Sequence, residues 1–500
     1  MSLLIKFRNL FNPIDLTKGS ILKNIIIFLI PILLSLIFQQ LYSLTDAIIV
    51  GKTLSSAEIS GINDVAPLCN IPLQFAIGCT SGFSVVIANL IGKNDKNGAR
   101  KSFLVQIILS IGITVILTII FCLLTDDLLS IMDIKESATD PSKQAVYQSA
   151  HDYLFIIYLG MICQMFYNLI VANLRALGDS FTPFLFLVVG TVLNVFLDLL
   201  FIIPLKLGVA GSAWATNLSQ LIAAVGCFIY AYIKYPFLRI KKSDFKFSFK
   251  FILEHLKNGC PLGFNFSILQ IGIVIMQMAV IAFDYDPSGV MVANQPVQIG
   301  YSIACKLIMI LVSAFNSLGA CAITYFGQNN GAKKYDRINK GFKVLFYLGL
   351  AMWIILAGVF ALMSINGAYL YIFLDGSKVT KEVIKYGNLY LYSTLPLGFF
   401  LMVLILLRNS LSGLNRPLFP FLAGIGEMLA RSILCIYLPR LINGGPINST
   451  ASDFAYVSTC FADPLAWISA TLIMIVPMIL VLKNNYKLMV QSNKIETINK

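Results

Sequence analysis

The sequence predicts an all-α integral membrane protein whose twelve transmembrane helices form two parallel six-helix pseudo-repeats. Three observations predict it. Of the 500 residues, 58% are hydrophobic and 12% charged, with a mean hydropathy of +0.81, whereas charged residues make up about a quarter of a soluble domain. Apolar windows of roughly 20 residues, the length that crosses a bilayer core of about 30 Å, can be laid down twelve times. Finally, the chain repeats itself. Gly92-Lys-Asn-Asp-Lys-Asn-Gly-Ala-Arg-Lys101-Ser-Phe103 returns as Gly331-Ala-Lys-Lys-Tyr-Asp-Arg-Ile-Asn-Lys340-Gly-Phe342. Pro31 and Gln40 return as Pro261 and Gln270, and the turn at Gly178 and Pro183 returns at Gly413 and Pro417. Six crossings per copy start both copies on the same side, a layout of secondary transporters.

Taken in order, the expected spans are 25–50, 62–91, 102–124, 153–174, 183–203 and 209–233 in a first lobe (25–233), then 251–283, 290–326, 342–363, 386–407, 418–438 and 456–482 in a second lobe (251–482). Residues 1–24 form an N-terminal segment, 234–250 a basic linker and 483–500 a tail. The first apolar run is too long for the h-region of a signal peptide, so it is expected to insert and stay. Thr125 to Asp152, acidic and interrupted by Pro141, reads as an external loop with short helical pieces. Prolines 31, 67, 72, 183, 204, 261 and 296 lie in or beside apolar helices, where they either permit bends or simply pack.

The net charge of +13 is distributed in short clusters between apolar runs, which argues against nucleic acid and reports topology. Alternate loops hold 27 Lys and Arg on one side, Arg175, Arg408 and Arg416 among them, and eight on the other. The positive-inside rule puts both termini in the cytoplasm of a cell-membrane protein. The linker is its most basic loop and is expected near anionic headgroups.

Few carboxylates sit deep in the apolar spans. The clearest are Asp46, in Leu36-Ile-Phe-Gln-Gln-Leu-Tyr-Ser-Leu-Thr-Asp-Ala-Ile-Ile-Val-Gly51, and Asp198, in Gly190-Thr-Val-Leu-Asn-Val-Phe-Leu-Asp-Leu-Leu-Phe-Ile202. A charge at a helix centre costs about 2.5–3.5 kcal/mol on insertion scales, so both are expected to face protein. Gln39, Tyr42 and Asp46 share one helical stripe, and Asn194 precedes Asp198 by one turn. If the stripes meet, they make a switchable proton or sodium site. The structural alternative is that Asp46 caps a break before Gly51 and Asp198 bonds to neighbouring helices. The repeat position of Asp46 is Met276, so any ion site is lopsided, in the first half.

Glu427 and Arg431 are spaced as an i,i+4 ion pair of structural character. For Lys306, snorkelling, pairing with a carboxylate and lining a cavity all stay open. Asp64, Glu254, Asp284 and Asp286 lie near span ends and are expected to face water. The ten cysteines read as small packing residues. His151 and His255 look isolated at span edges, which supports neither a zinc site nor a His-centred enzyme. Without a Gly-rich loop ending in Gly-Lys-Ser/Thr, no cofactor or ATP hydrolysis is expected, and energy comes from a gradient.

Asp15-Leu-Thr-Lys-Gly-Ser-Ile-Leu-Lys, Ile30-Pro31, Gln39-Gln40-Leu-Tyr and Asp46-Ala-Ile-Ile-Val-Gly51 resemble the first helix of the multidrug and toxic compound extrusion (MATE) family. Arg175-Ala-Leu-Gly-Asp-Ser-Phe-Thr-Pro183, Asn194-Val-Phe-Leu-Asp198 and Gly208-Val-Ala-Gly-Ser-Ala-Trp-Ala-Thr216 resemble its fourth to sixth helices. The resemblance extends over nearly the whole chain. It implies a V-shaped bundle around a central cavity and cation-coupled efflux of drugs, toxic compounds or metabolites by alternating access, with a proton or sodium as coupling ion. Cation-site residues carry over onto Asp46, Asn194 and Asp198, with Gln39, Tyr42, Thr216 and Gln270 as weaker cavity positions. The glutamate that some members carry on the seventh helix is replaced by the polarity of Asn265 and Gln270, which is similar to the bacterial branch with first-lobe carboxylates. The implied partners are a small apolar or cationic organic substrate and membrane lipids, and the implied state is a monomer. A lipid-linked saccharide flippase of the wider superfamily is the alternative.

Overall fold

The computed structural model of the chain describes residues 12–132, 134–137 and 140–498; the expectations for residues 1–11 and 499–500 fall outside these. The elements are α1 Ile21–Thr53, α2 Ser56–Gly92, α3 Lys96–Leu123, the short α4 Thr125–Ile131, α5 Pro141–Leu159, α6 Met161–Ala176, α7 Phe181–Ile202 and α8 Gly208–Lys234. There follow α9 Phe249–Ile281, α10 Pro296–Gly331, α11 Tyr335–Ser364, the short α12 Leu370–Phe373, α13 Lys381–Thr394, α14 Gly398–Gly413, α15 Leu418–Asn443, the short α16 Asp453–Cys460 and α17 Ala462–Ile498. Among the described residues ten helical segments are long and apolar enough to span a membrane. Two bent pairs, α5 with α6 at 44° and α13 with α14 at 52°, bring the number to as many as twelve.

At the bent pairs the expected spans 153–174 and 386–407 fall inside the helices but stop short of their ends. Pro141 does not interrupt a loop; it opens α5, because Asp140 caps the helix by accepting from the N–H groups of Ser142 (3.0 Å) and Lys143 (3.3 Å). A proline in the first turn has no N–H that the helix needs. Likewise Lys381 and Lys385, which precede the expected span 386–407, belong to α13, which Thr380 caps through Val383 N–H at 3.3 Å. Nor does the chain break before Gly51, since α1 continues to Thr53.

Two compact units emerge. One comprises Met1–Ser267, Ile323–Lys334 and Ser412–Pro417, and the other Ile268–Ala322, Tyr335–Leu411 and Leu418–Lys500.

Inside the first unit the duplication is visible in backbone geometry. After α2, the N–H groups of Lys93, Asn94 and Asp95 donate to Asn89, Ile91 and Leu90, and Asn94 adopts φ 60°. After α10, Ala332, Lys333 and Lys334 donate to Gln328, Asn330 and Asn329, and Lys333 adopts φ 54°. The same left-handed turn therefore closes the same helix in each copy. These two helix ends also touch: a Cβ on Gly92 would strike the carbonyl of Gln328, and one on Gly331 that of Asn89.

Small residues bring α2 and α9 together as well. Gly78 and Gly82 face Gly259 and Gly263, each pair four residues apart, and a Cβ on Gly78 would lie 2.6 Å from the Cα of Gly263. Such spacing lets two membrane helices cross backbone to backbone.

His255 is not isolated. It is fully buried on α9, and its Nδ1 donates to the Phe251 carbonyl at 2.8 Å, which leaves Nε2 to accept from Ser102 Oγ at 2.7 Å. Gln106 donates to Ser102 (3.0 Å) and Asn173 to Gln106 (2.9 Å), so a directional polar chain joins α9, α3 and α6. The linker is equally well tied. Arg100 of α3 holds Asp244 through Nε at 2.6 Å and Nη2 at 3.0 Å, and Lys241 N–H donates to the same carboxylate. The hydrogen bond to Arg100 keeps the Asp244 carboxyl below the usual range despite its burial.

Candidate functional site

In the first unit α1 packs on α7, and α7 on α8. Phe38 and Phe184 join α1 to α7 edge to face at 5.6 Å, and Phe38 also packs against a buried cluster made by Tyr167, Val171, Leu187, Ala223 and Ala224. This apolar contact turns the polar stripe of α1 toward that of α7. Asp46 and Asp198 come within hydrogen-bonding reach of each other. Asn194, one turn before Asp198, is fully buried with it, while Asp46 is half-buried.

Apart from this mutual approach, no donor reaches Asp46 Oδ1, either oxygen of Asp198 or the Asn194 amide oxygen, and the Asn194 amide nitrogen is also unpartnered. Unsatisfied buried carboxylate oxygens are costly, and two negative charges this close repel strongly away from water. A shared proton would bridge the pair, and a desolvated monovalent cation would meet buried carboxylate oxygens of both acids that lack a donor. Among the described residues no group of three or more His, Cys, Asp or Glu could hold a metal.

Tyr42, on the same face of α1, lies near both carboxyls and places its hydroxyl 3.4 Å from Thr216 Oγ1 on α8. Gln39 lies one turn away and lines a small pocket with Tyr42, Tyr167, Gly190, Thr191 and Gln220. Three further candidate positions, Tyr42 on α1, Asn194 on α7 and Thr216 on α8, thus lie by the Asp46–Asp198 pair, and Gln39 borders them. Gln270 belongs to the second unit, where it is half-buried. Sequence reasoning missed Tyr153 of α5, which is half-buried and lies near Tyr42, Asp46 and Asp198. It is one of 21 tyrosines, with no local signal to separate it from the rest.

In the second unit, the Glu427–Arg431 pair exists at 3.0 Å but belongs to a larger cluster. Arg408 Nη2 holds Glu427 Oε2 at 2.6 Å, Arg431 Nε holds Asp463 Oδ1 at 2.6 Å, and the Tyr390 hydroxyl donates to Asp463 Oδ2 at 3.1 Å. Arg408, counted from the sequence as a loop residue, is only 7% exposed on α14, and Glu427, Arg431 and Asp463 are 3%, 4% and 9% exposed. Asp463 was legible as an acid inside the apolar run 456–482. Lys306 is exposed, with its Nζ 4.9 Å from the centre of the Phe373 ring, a cation–π contact. Asp284, expected to face water, is buried and caps α10 by accepting from Val297 N–H (3.1 Å) and Gln298 N–H (2.7 Å).

Comparison with known proteins places this architecture. The MatE family model matches residues 31–200 and 299–437. The chain is 26% identical over 344 residues to the probable multidrug resistance protein YoeA of Bacillus subtilis, covering 66% of this chain and 69% of that protein. It is 26% identical over 330 residues to the probable multidrug resistance protein YpnP of the same organism, covering 65% and 68%. Its fold is similar to the crystal structure of MATE in complex with MaL6, with a TM-score of 0.78 at 19% identity over 94% of this chain and 98% of that one. More than half of the chain matches the family model, and the helices, the repeat and the solved fold agree with it: this chain belongs to the multidrug and toxic compound extrusion family, a family of membrane transporters and not of enzymes.

Proposed function

We propose that the protein is a cation-coupled antiporter that exports small apolar or cationic organic molecules across the cell membrane, with both termini in the cytoplasm. The approach of Asp46 to Asp198, with buried carboxylate oxygens that no protein cation neutralises, is the observation that carries this reading. The names of the relatives, multidrug resistance proteins, support the substrate class.

In the cycle proposed here, a proton or sodium ion entering from outside settles between Asp46 and Asp198, with Asn194 offering a further oxygen. Neutralisation removes the repulsion between α1 and α7 and lets the polar faces of the two helices close. Pro31 leaves α1 without one ladder hydrogen bond, so the helix can change its bend as its outer half follows Asp46. Gln39 and Tyr42 ride on the same helix and line the small pocket, so closure around the ion reshapes the surface that a substrate would meet. Substrate leaves outward, the ion leaves inward, and the emptied pair recovers its affinity for substrate.

The deciding experiment reconstitutes the full chain in liposomes and follows ethidium as a cationic probe under imposed proton or sodium gradients. Uphill movement in wild type that disappears in both Asp46→Asn and Asp198→Asn supports the reading. Undiminished coupling in either variant, at equal insertion, would sink it.

A further inference from the structure

We infer that the Glu427–Asp463 cluster of the second unit is a cation site that the chain fills with its own guanidinium groups, which leaves the coupling ion a single address in the first unit. This rests on the proposed role of Asp46 and Asp198 and adds what happens at the corresponding place in the other copy.

The two copies pose the same problem and answer it differently. Helix α15 repeats α7, at nearly the displacement that relates Pro183 to Pro417, and it carries Glu427 and Arg431 where α7 carries Asn194 and Asp198. Both units therefore hold a pair of polar residues one turn apart on the repeated helix, and each unit recruits a second acid from elsewhere: Asp46 from α1 in the first, Asp463 from α17 in the second.

The difference lies in who satisfies the oxygens. In the second unit all four carboxylate oxygens have a donor: Glu427 Oε1 and Oε2 take Arg431 and Arg408, and Asp463 Oδ1 and Oδ2 take Arg431 and Tyr390. Two positive and two negative side chains balance, and no carboxylate oxygen is left without a donor. In the first unit Asp46 Oδ1 and both Asp198 oxygens are buried without a donor. A mobile cation gains most where buried negative charge is uncompensated and little where a tethered guanidinium already sits. Space for that guanidinium is provided by Gly272 of α9, where a Cβ would lie 2.9 Å from Arg431 Nη1.

Binding of the cation alone tests this on the purified full chain in detergent micelles. The probes are sodium, and protons taken up on passing from mildly alkaline to mildly acidic buffer. Asp463→Asn leaves the cluster with excess positive charge and is expected to bind the same number of cations as wild type. Arg431→Met strips donors from Glu427 and Asp463 and is expected to bind one additional cation per chain, a gain that Arg431→Met/Asp463→Asn removes. Fewer cations bound by Asp463→Asn, or no added cation in a monodisperse Arg431→Met, overturns the inference. Should Arg431→Met fail to fold, Asp463→Asn decides alone. Unchanged binding in Asp46→Asn/Asp198→Asn would instead overturn the coupling site itself, so the two failures are separable.

Discussion

Tyr42 of α1 and Thr216 of α8 place their hydroxyls 3.4 Å apart beside the Asp46–Asp198 pair, a long contact that strengthens only if the two helices approach. Replacing Tyr42 with Phe is expected to slow ethidium efflux a few-fold, in line with a hydrogen bond of about 0.5–1.5 kcal/mol, while the proton or sodium dependence is retained. Efflux rates at several imposed gradients measure both. Complete loss of gradient dependence would make Tyr42 a ligand of the ion and not a neighbour of the site.

Asp46 and Asp198 act as one unit in the proposed cycle, so their substitutions are expected to be non-additive. Asp46→Asn/Asp198→Asn should couple no worse than either single variant. Flux in proteoliposomes checks this, and a double variant much worse than both singles would point to two independent ions.

The Arg100–Asp244 pair anchors the linker to α3 with two buried hydrogen bonds. Asp244→Asn is expected to destabilise the chain by about 1.5–3 kcal/mol, the scale of hydrogen bonds to charged groups. Because the folded carboxyl is held below its ordinary value, this stability is fully present above the unfolded value of about 3.9 and is lost as pH falls through the folded one. Thermal unfolding of wild type and Asp244→Asn should differ at neutral pH, begin to converge only below about pH 4, and meet once pH has fallen below the folded value.

At the α2–α9 crossing a Cβ on Gly82 would strike the carbonyl of Asn258, and one on Gly259 the ring of Phe83. Gly82→Ala is expected to lower stability by roughly 1–3 kcal/mol through overpacking. Gly51→Ala is the control, since nothing lies within 4 Å of its added Cβ. Melting curves of the two variants in one detergent compare them directly, and equal shifts would remove the crossing as the cause.

Much of the first-unit site was legible because a carboxylate in an apolar run is expensive, so Asp46 and Asp198 stood out, and helical spacing added Asn194 and Tyr42. Tyr153 carried no such mark. Arg408 was misread as a loop residue because the expected span ended at residue 407, whereas α14 continues to Gly413. His255 looked isolated because its partner Ser102, and the Gln106 and Asn173 that continue the chain from Ser102, lie on other helices.

By itself the sequence determined the membrane class, the duplication and which helix faces are polar, since these follow from composition and from a period of 3.6 residues. Only the tertiary structure decided which acids lie bare and which lie under arginine. Periodicity orients a side chain around its own axis, but the identity of the neighbouring helix comes from packing, through contacts such as Phe38 on Phe184 and Gly272 beside Arg431. Charge compensation is a property of those neighbours, and so the difference between Asp198, without a cation, and Asp463, held by Arg431, appears only once the helices are assembled.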